Sequence, residues 1–471
     1  MLFNTWAFAY FFILLLPVYW VLPHRPRNLL LLAASYYFYS RWDYRFLGLL
    51  IISTLMDYFC GLAVDRIENP RKRKLFVALS MVLNLGMLGY FKYFDFFASS
   101  LQVALQSAGL HVSLHLLDVT LPIGISFYTF QSMSYVIDIY RREIKPTKNL
   151  VDFAAFVSFF PHLVAGPIMR PTTLLPQIET PRKFDIQQFY QGVYLICWGL
   201  TKKVVVADNL AKIVDNLFGR WQTIDGGLAL LAVYAFAFQI YCDFSGYTDA
   251  ARGISKCLGF ELSLNFNLPY FATSPKDFWS RWHISLSTWL RDYLYIPLGG
   301  GRGSKWFVYR NLMLTMIIGG LWHGAAWTFI LWGFYQGMIL IAHRMLEPWL
   351  KRYQPANPVE RSCWTALRIF VTFHLVCLGW LFFRAKSIAQ VQGMLSAIVL
   401  HPAIPAAAFL VPVALVVLPL LLIQFLQYHA DDLSIIERTP WYVRSVFYKV
   451  LFYAFVLAGE HGGGKFIYFQ F

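Results

Sequence analysis

The stretch NLMLTMIIGGLWHGAAWTFILWG, residues 311–333, decides the fold class. It holds one titratable side chain, His323, among apolar and small residues. About 20 apolar residues suffice to cross a hydrocarbon layer of about 30 Å, so the stretch reads as membrane sequence. An imidazole is costly in lipid, so it faces the protein interior and is a candidate functional group. Gly319, Gly320 and Gly324 flank it and leave room for another helix or a ligand. The plainer alternative is a core histidine bonded to a carbonyl, with the glycines serving helix packing.

Working outward, the rest of the chain supports lipid as solvent. Of 471 residues 58% are hydrophobic and only 14% charged, against roughly 25% charged in a soluble domain. Apolar segments at 5–22, 46–64, 74–91, 121–139, 150–168, 188–206, 226–246, 311–329, 330–346, 366–384, 406–427 and 443–459 predict roughly ten to twelve membrane helices. Residues 28–40 are too short to span comfortably and read as a partner of the first helix. Residues 93–120 show helical spacing and read as a surface element. The net charge of +15 sits in short loops such as HRPRN (24–28), NPRKRK (69–74) and RREIKPTK (141–148). That is the positive-inside pattern, with anionic lipid headgroups as partners and no nucleic acid. The first apolar stretch lacks a basic flank and a small-residue cleavage site, so it reads as a retained helix, not a signal. Six cysteines are scattered without CxxC or zinc-like spacing, so no metal site is read.

Residues 247–310 are too polar to span. They contain WSRWHISLSTWLRDYLYIPLGGGRG, which reads as re-entrant sequence, tolerated at membrane depth only inside protein or along a watery cavity. His283 lies there and is either a second functional histidine or an interfacial one. GGGRG (299–303) reads as a turn; the alternative is a backbone cradle for phosphates, with Arg302 and Lys305 adding charge. Asp138, Asp243, Asp249 and Asp277 lie near membrane segments. They either cap helices and pair with Arg252 or Arg281, or orient a catalytic region. His162 in FFPHLVAGPIMR (159–170) sits in an expected broken helix, with a structural or cavity-lining role rather than a catalytic one. No GxSxG elbow, P-loop or dinucleotide fingerprint is present.

Five stretches together resemble the membrane-bound O-acyltransferase family, in its bacterial polysaccharide-acetylating and teichoic-acid D-alanylating branches. They are LPIGISFYTFQSMSYVIDIYR (121–141), FFPHLVAGPIMR (159–170), YCDFSGYTDAARG (241–253), FWSRWHISLSTWLRDYLYIPLGGGRG (278–303) and GGLWHGAAWTFILWG (319–333). The resemblance implies an all-α polytopic membrane protein whose helices ring a thin central region crossed by a tunnel. It implies His323 as catalytic base and His283 as its polar assistant. Acetyl-CoA or another acyl thioester is then the cytoplasmic donor, with no bound cofactor. Trp322, Gly320, Gly324 and Trp282 become tunnel or donor candidates, as do Asp277, Arg281, Arg302 and Lys305. The implied acceptor is a serine of an extracytoplasmic partner acetyltransferase, and ultimately a polysaccharide (alginate, cellulose or peptidoglycan). The implied setting is a bacterial inner membrane.

The chain ends HGGGKFIYFQF (461–471), a glycine tether carrying an aromatic peptide. A separate small subunit of the D-alanylation system ends similarly, which implies Tyr468 as a transient acyl carrier. The alternative is an anchor packed in an outer groove. The expected organisation is N-terminal helices (1–114), a catalytic core (115–346), C-terminal scaffolding helices (347–459) and the tail (460–471). Competing functions are direct acylation of a lipid or protein, and a transporter or channel using the histidines as a proton relay. The lack of a visible internal repeat weighs against the transporter.

Overall fold

The computed structural model describes residues 1–353, 355–460 and 467. Among these residues the regular structure is all helix, with no strand. Among the described residues seven helices are long and apolar enough to cross a membrane: Tyr44–Arg66, Pro70–Ser107, Gly226–Cys257, Trp327–Arg352, Pro358–Arg384, Ala407–Ala430 and Trp441–Ala458. Trp6–Val21 and Ile388–Leu400 are apolar but shorter.

The difference from ten to twelve expected spans has local causes. The 150–168 stretch breaks at Phe159 and Pro161 into helices Leu150–Ser158 and Phe160–Leu163, because proline inside a helix removes a donor and clashes with the preceding turn. The 121–139 stretch gives the 16-residue helix Ile125–Tyr140, which is almost wholly enclosed by protein. The 311–329 stretch ends its helix at His323. Residues 93–107 are not a separate surface helix. They continue Pro70–Leu88 through a π-helical turn, Gly89–Tyr93, and irregular chain follows Ser107. HRPRN is likewise not a loop: it opens helix His24–Ser40, and Arg27 is buried, donating to the carbonyls of Trp20, Leu22 and Arg182.

Contacts group the chain into two compact units. One comprises Met1–Ile196 and Ala250–Ser263. Here helix Tyr44–Arg66 packs on Pro70–Leu88 and Ile125–Tyr140. A polar seam joins the first two: Ser80 Oγ donates to Asp57 Oδ1 at 2.6 Å, and the Asn84 amide donates to Asp57 Oδ2 at 2.9 Å. Such bonds hold helices together where lipid removes the hydrophobic drive. His162 is enclosed and bonded to Gln131 Oε1 at 2.6 Å.

The other unit comprises Cys197–Asp249 and Leu264–Phe471. Its frame is a helical hairpin, Lys305–His323 against Trp327–Arg352, with Pro358–Arg384 packed on the second arm. Glycine makes the hairpin tight. A Cβ on Gly320 would lie 2.3 Å from the Phe329 carbonyl oxygen, and one on Gly333 2.4 Å from that of Met316. Of the polar stretch 247–310, residues 247–257 close helix Gly226–Cys257 and 305–310 open helix Lys305–His323. Within this unit, 264–304 hold a 3-10 turn, Pro269–Phe271, and two short helices, Pro275–Arg281 and Ile284–Leu290, the second continuing into a π-helical turn, Arg291–Tyr295. None is long enough to span.

Candidate active site

His323 is the last residue of the hairpin's first helix. The chain then runs extended through Gly324 and turns into the second arm, because a side chain on Gly324 would strike the Phe329 ring at 2.1 Å. This break places the imidazole beyond the helix body, in an aromatic box. Trp322, Trp332 and Phe383 lie 5.0, 5.2 and 5.3 Å from it between ring centroids. It is only 5% exposed.

His283 stands 6.4 Å from His323 between ring centroids and is fully buried. Its backbone is left-handed, φ 44°, ψ 53°, a conformation that costs a non-glycine residue roughly 1–3 kcal/mol and recurs at functional sites. The strain is held in place by the segment opposite. Asn267 N–H donates to the Arg281 carbonyl at 2.9 Å, and Ile284 N–H to that of Asn265 at 3.0 Å. The Asn265 side chain sets the ring. Its Oδ1 accepts from Ser285 N–H (3.1 Å) and Ser285 Oγ (2.9 Å), so the atom facing His283 Nδ1 at 3.2 Å is an acceptor. Nδ1 therefore carries the hydrogen and Nε2 keeps its lone pair. Burial pushes the His283 pKa down to about 3, so the ring is neutral at neutral pH.

The sequence candidates separate in space. His323, His283 and Trp322 come together, and Trp282 lies behind them against Trp380, at 4.7 Å. Gly320 and Gly324 meet the second arm of the hairpin, so what approaches them closely is protein. Asp277 and Arg281 form an ion pair at 2.7 Å while Asp277 Oδ2 accepts the Thr273 N–H, a helix-start arrangement. GGGRG forms a turn with Gly299, Gly300 and Gly303 at positive φ. Arg302 and Lys305 are exposed, and Lys305 opens the helix that His323 closes, about 27 Å away along its axis. Tyr468 lies outside the described residues.

Three features were not read from the sequence. Asn265 gave no local signal, since its meaning depends on pairing with 281–285. Trp380 and Phe383 wall the histidines although they come from the expected scaffolding region. Asp243 and Asp249 pair with Lys203 (2.5 Å) and Lys202 (2.6 Å), partners that were not named from the sequence. Among the described residues, no group of three or more His, Cys, Asp or Glu is placed to hold a metal.

A buried neutral histidine of fixed tautomer beside a second histidine at a helix break, sheltered by aromatic rings, can move a proton in a water-poor site. Comparison with known proteins gives this geometry a family. The model of the membrane-bound O-acyltransferase family matches residues 36–383. The "Probable alginate O-acetylase AlgI" of Azotobacter vinelandii is 45% identical over 401 residues, covering 84% of this chain and 78% of that protein. The "Peptidoglycan O-acetyltransferase" of Helicobacter pylori is 36% identical over 434 residues, covering 85% and 80%. The "Teichoic acid D-alanyltransferase" of Bacillus subtilis is 31% identical over 279 residues, covering 56% and 69%. The chain is thus a multi-pass membrane enzyme of the acyltransferase class, and it belongs to the membrane-bound O-acyltransferase family.

Proposed function

We propose that the protein moves an acetyl group from a cytoplasmic thioester, acetyl-CoA, through a tunnel to an extracytoplasmic hydroxyl, for O-acetylation of a cell-surface polysaccharide. The buried His323–His283 pair carries this reading. The relatives named as O-acetylating enzymes match more of the chain, at higher identity, than the D-alanyltransferase, which favours acetyl as the group. The location is the inner membrane of a bacterium, and the partner is an acetyltransferase whose serine receives the group.

In the proposed chemistry His323 takes the proton of the Tyr468 hydroxyl. The phenolate oxygen attacks the thioester carbonyl carbon, the tetrahedral intermediate collapses, the C–S bond breaks and the thiolate leaves with the proton held by His323. The product is a phenyl ester, reactive enough to pass its acetyl to a serine and return as the phenol. His283 offers its Nε2 lone pair to orient the reacting groups. The aromatic surroundings keep water from hydrolysing the thioester and the ester.

The direct test follows label from acetyl-CoA with purified protein in a lipid bilayer mimic. Donor consumption with acetyl appearing on protein and acceptor hydroxyls is expected. Use of long-chain acyl-CoA with acetyl-CoA ignored sinks the acetyl reading in favour of direct lipid or protein acylation. Asn265→Ala removes the partner that fixes the His283 tautomer, and transfer is expected to fall about 10²-fold. Asn265→Asp retains an acceptor and is expected to keep much more activity. Equal losses in both variants contradict the tautomer role.

A further inference from the structure

Helix Ile186–Thr201 widens into a π-helical turn, Lys202–Ala207, before helix Asp208–Gly219. A cluster of three charges is buried there. Lys203 Nζ reaches Asp243 Oδ1 at 2.5 Å and Asp208 Oδ1 at 2.7 Å, and each of the three residues is at most 6% exposed. One cation serves two carboxylates, so the cluster calls for a further donor. The donor is the backbone N–H of Ile467, which bonds Asp243 Oδ2 at 2.7 Å. Ile467 itself is 2% exposed.

The same short segment holds the start of the tail. The Glu460 N–H donates to the Val204 carbonyl at 3.1 Å, and the Asn209 amide donates to the Ala458 carbonyl at 2.7 Å. Glu460 also pairs with Lys212. Glu460 and Ile467 are therefore both fixed to residues 203–212 and their direct partner Asp243.

We propose that Asp243, held by Lys203 and Asp208, is a positioning residue that docks the C-terminal peptide and sets its register through the Ile467 amide. This rests on the reading of the tail as acyl carrier. A bond from a backbone N–H to a carboxylate is charge-assisted, and it fixes the chain position without reading a side chain. A slip of one residue moves a chain by about 2 Å in a 3-10 turn, such as that at Ile467, and by up to about 3.6 Å when extended. Either is a large fraction of the separation of reacting atoms in a productive complex, about 3–3.5 Å. Fixing Ile467 thus fixes the attachment point of the tyrosine that follows it in sequence.

The test uses the full-length protein and two readouts. Hydrogen–deuterium exchange of the C-terminal peptide is expected to be at least about tenfold faster in Asp243→Ala than in the parent, with Asp243→Asn between them because its amide oxygen still accepts. Ile467→Pro leaves the charge cluster intact but has no N–H, and acetyl transfer is expected to fall about 10²-fold. A folded Asp243→Ala protein whose tail exchanges no faster overturns the docking. An Ile467→Pro protein at full activity, with Tyr468→Phe inactive, overturns the register role and leaves the carrier reading standing. Faster tail exchange with Tyr468→Phe fully active sinks the carrier reading and supports Asp243 as the docking point.

Discussion

Replacing His323 by alanine is expected to lower acyl transfer by about 10²–10⁴-fold, the range a positioned general base contributes. The larger part of the loss is chemical. A phenol or serine hydroxyl is a weak nucleophile until its proton is removed, and the second histidine is poorly suited to remove it. Burial disfavours the charged form of His283, and its Nδ1 is tied to Asn265, which suits it to orient the reacting groups. His283→Ala is therefore expected to cost less than His323→Ala. Because His323 packs against Trp322, Trp332 and Phe383, alanine also leaves a gap. His323→Gln fills much of that space without restoring a base, and is expected to remain as inactive as alanine. Turnover measured on monodisperse protein checks this; a His323→Gln enzyme near parental activity sinks the general-base assignment.

Tyr468→Phe is expected to reduce transfer to the uncatalysed background. Phenylalanine keeps the aromatic ring and the preceding Ile467 amide, so the docking at Asp243 persists. Only the hydroxyl that would form the ester is lost, which makes the substitution a clean separation of carrying from anchoring. Tail exchange in this variant is expected to match the parent while transfer vanishes. Full transfer without the hydroxyl means the tail is an anchor and the acetyl passes directly to the acceptor.

Much of the site was legible because its signals are local. His323 stands out as the one titratable group in an apolar run, and glycines on both sides mark the helix break that frees it. His283 was readable as a polar residue in sequence too hydrophilic to span and too aromatic for an ordinary loop. What escaped depends on pairing across the fold. Lys202 and Lys203 sit in an apolar segment, and only folding shows that Asp249 and Asp243 neutralise them. Asn265 acts through strands of irregular chain that carry no periodicity. The apolar stretches outnumber the seven helices that are long and apolar enough to cross, among the described residues, because hydropathy does not register where Pro161 or Gly324 ends a helix, or that a segment such as Ile125–Tyr140 is almost wholly enclosed by protein.

Arg302 and Lys305 are a separate case. Their charge beside a glycine run suggested a donor cradle, yet they occupy the end of the helix remote from His323. If they meet the donor, they meet it far from the reacting carbonyl. Substituting both is expected to raise KM for acetyl-CoA severalfold with kcat little changed, the signature of binding that is equal in ground and transition states. A matching fall in kcat contradicts that placement.

The most direct measurement is mass spectrometry of the C-terminal peptide after brief incubation of the full-length protein with isotope-labelled acetyl-CoA, for the parent and for His323→Gln. The expected result is a labelled acetyl ester on Tyr468 in the parent and none in the variant. Donor consumed by the parent with an unlabelled tail, or equal labelling without the histidine, contradicts the mechanism.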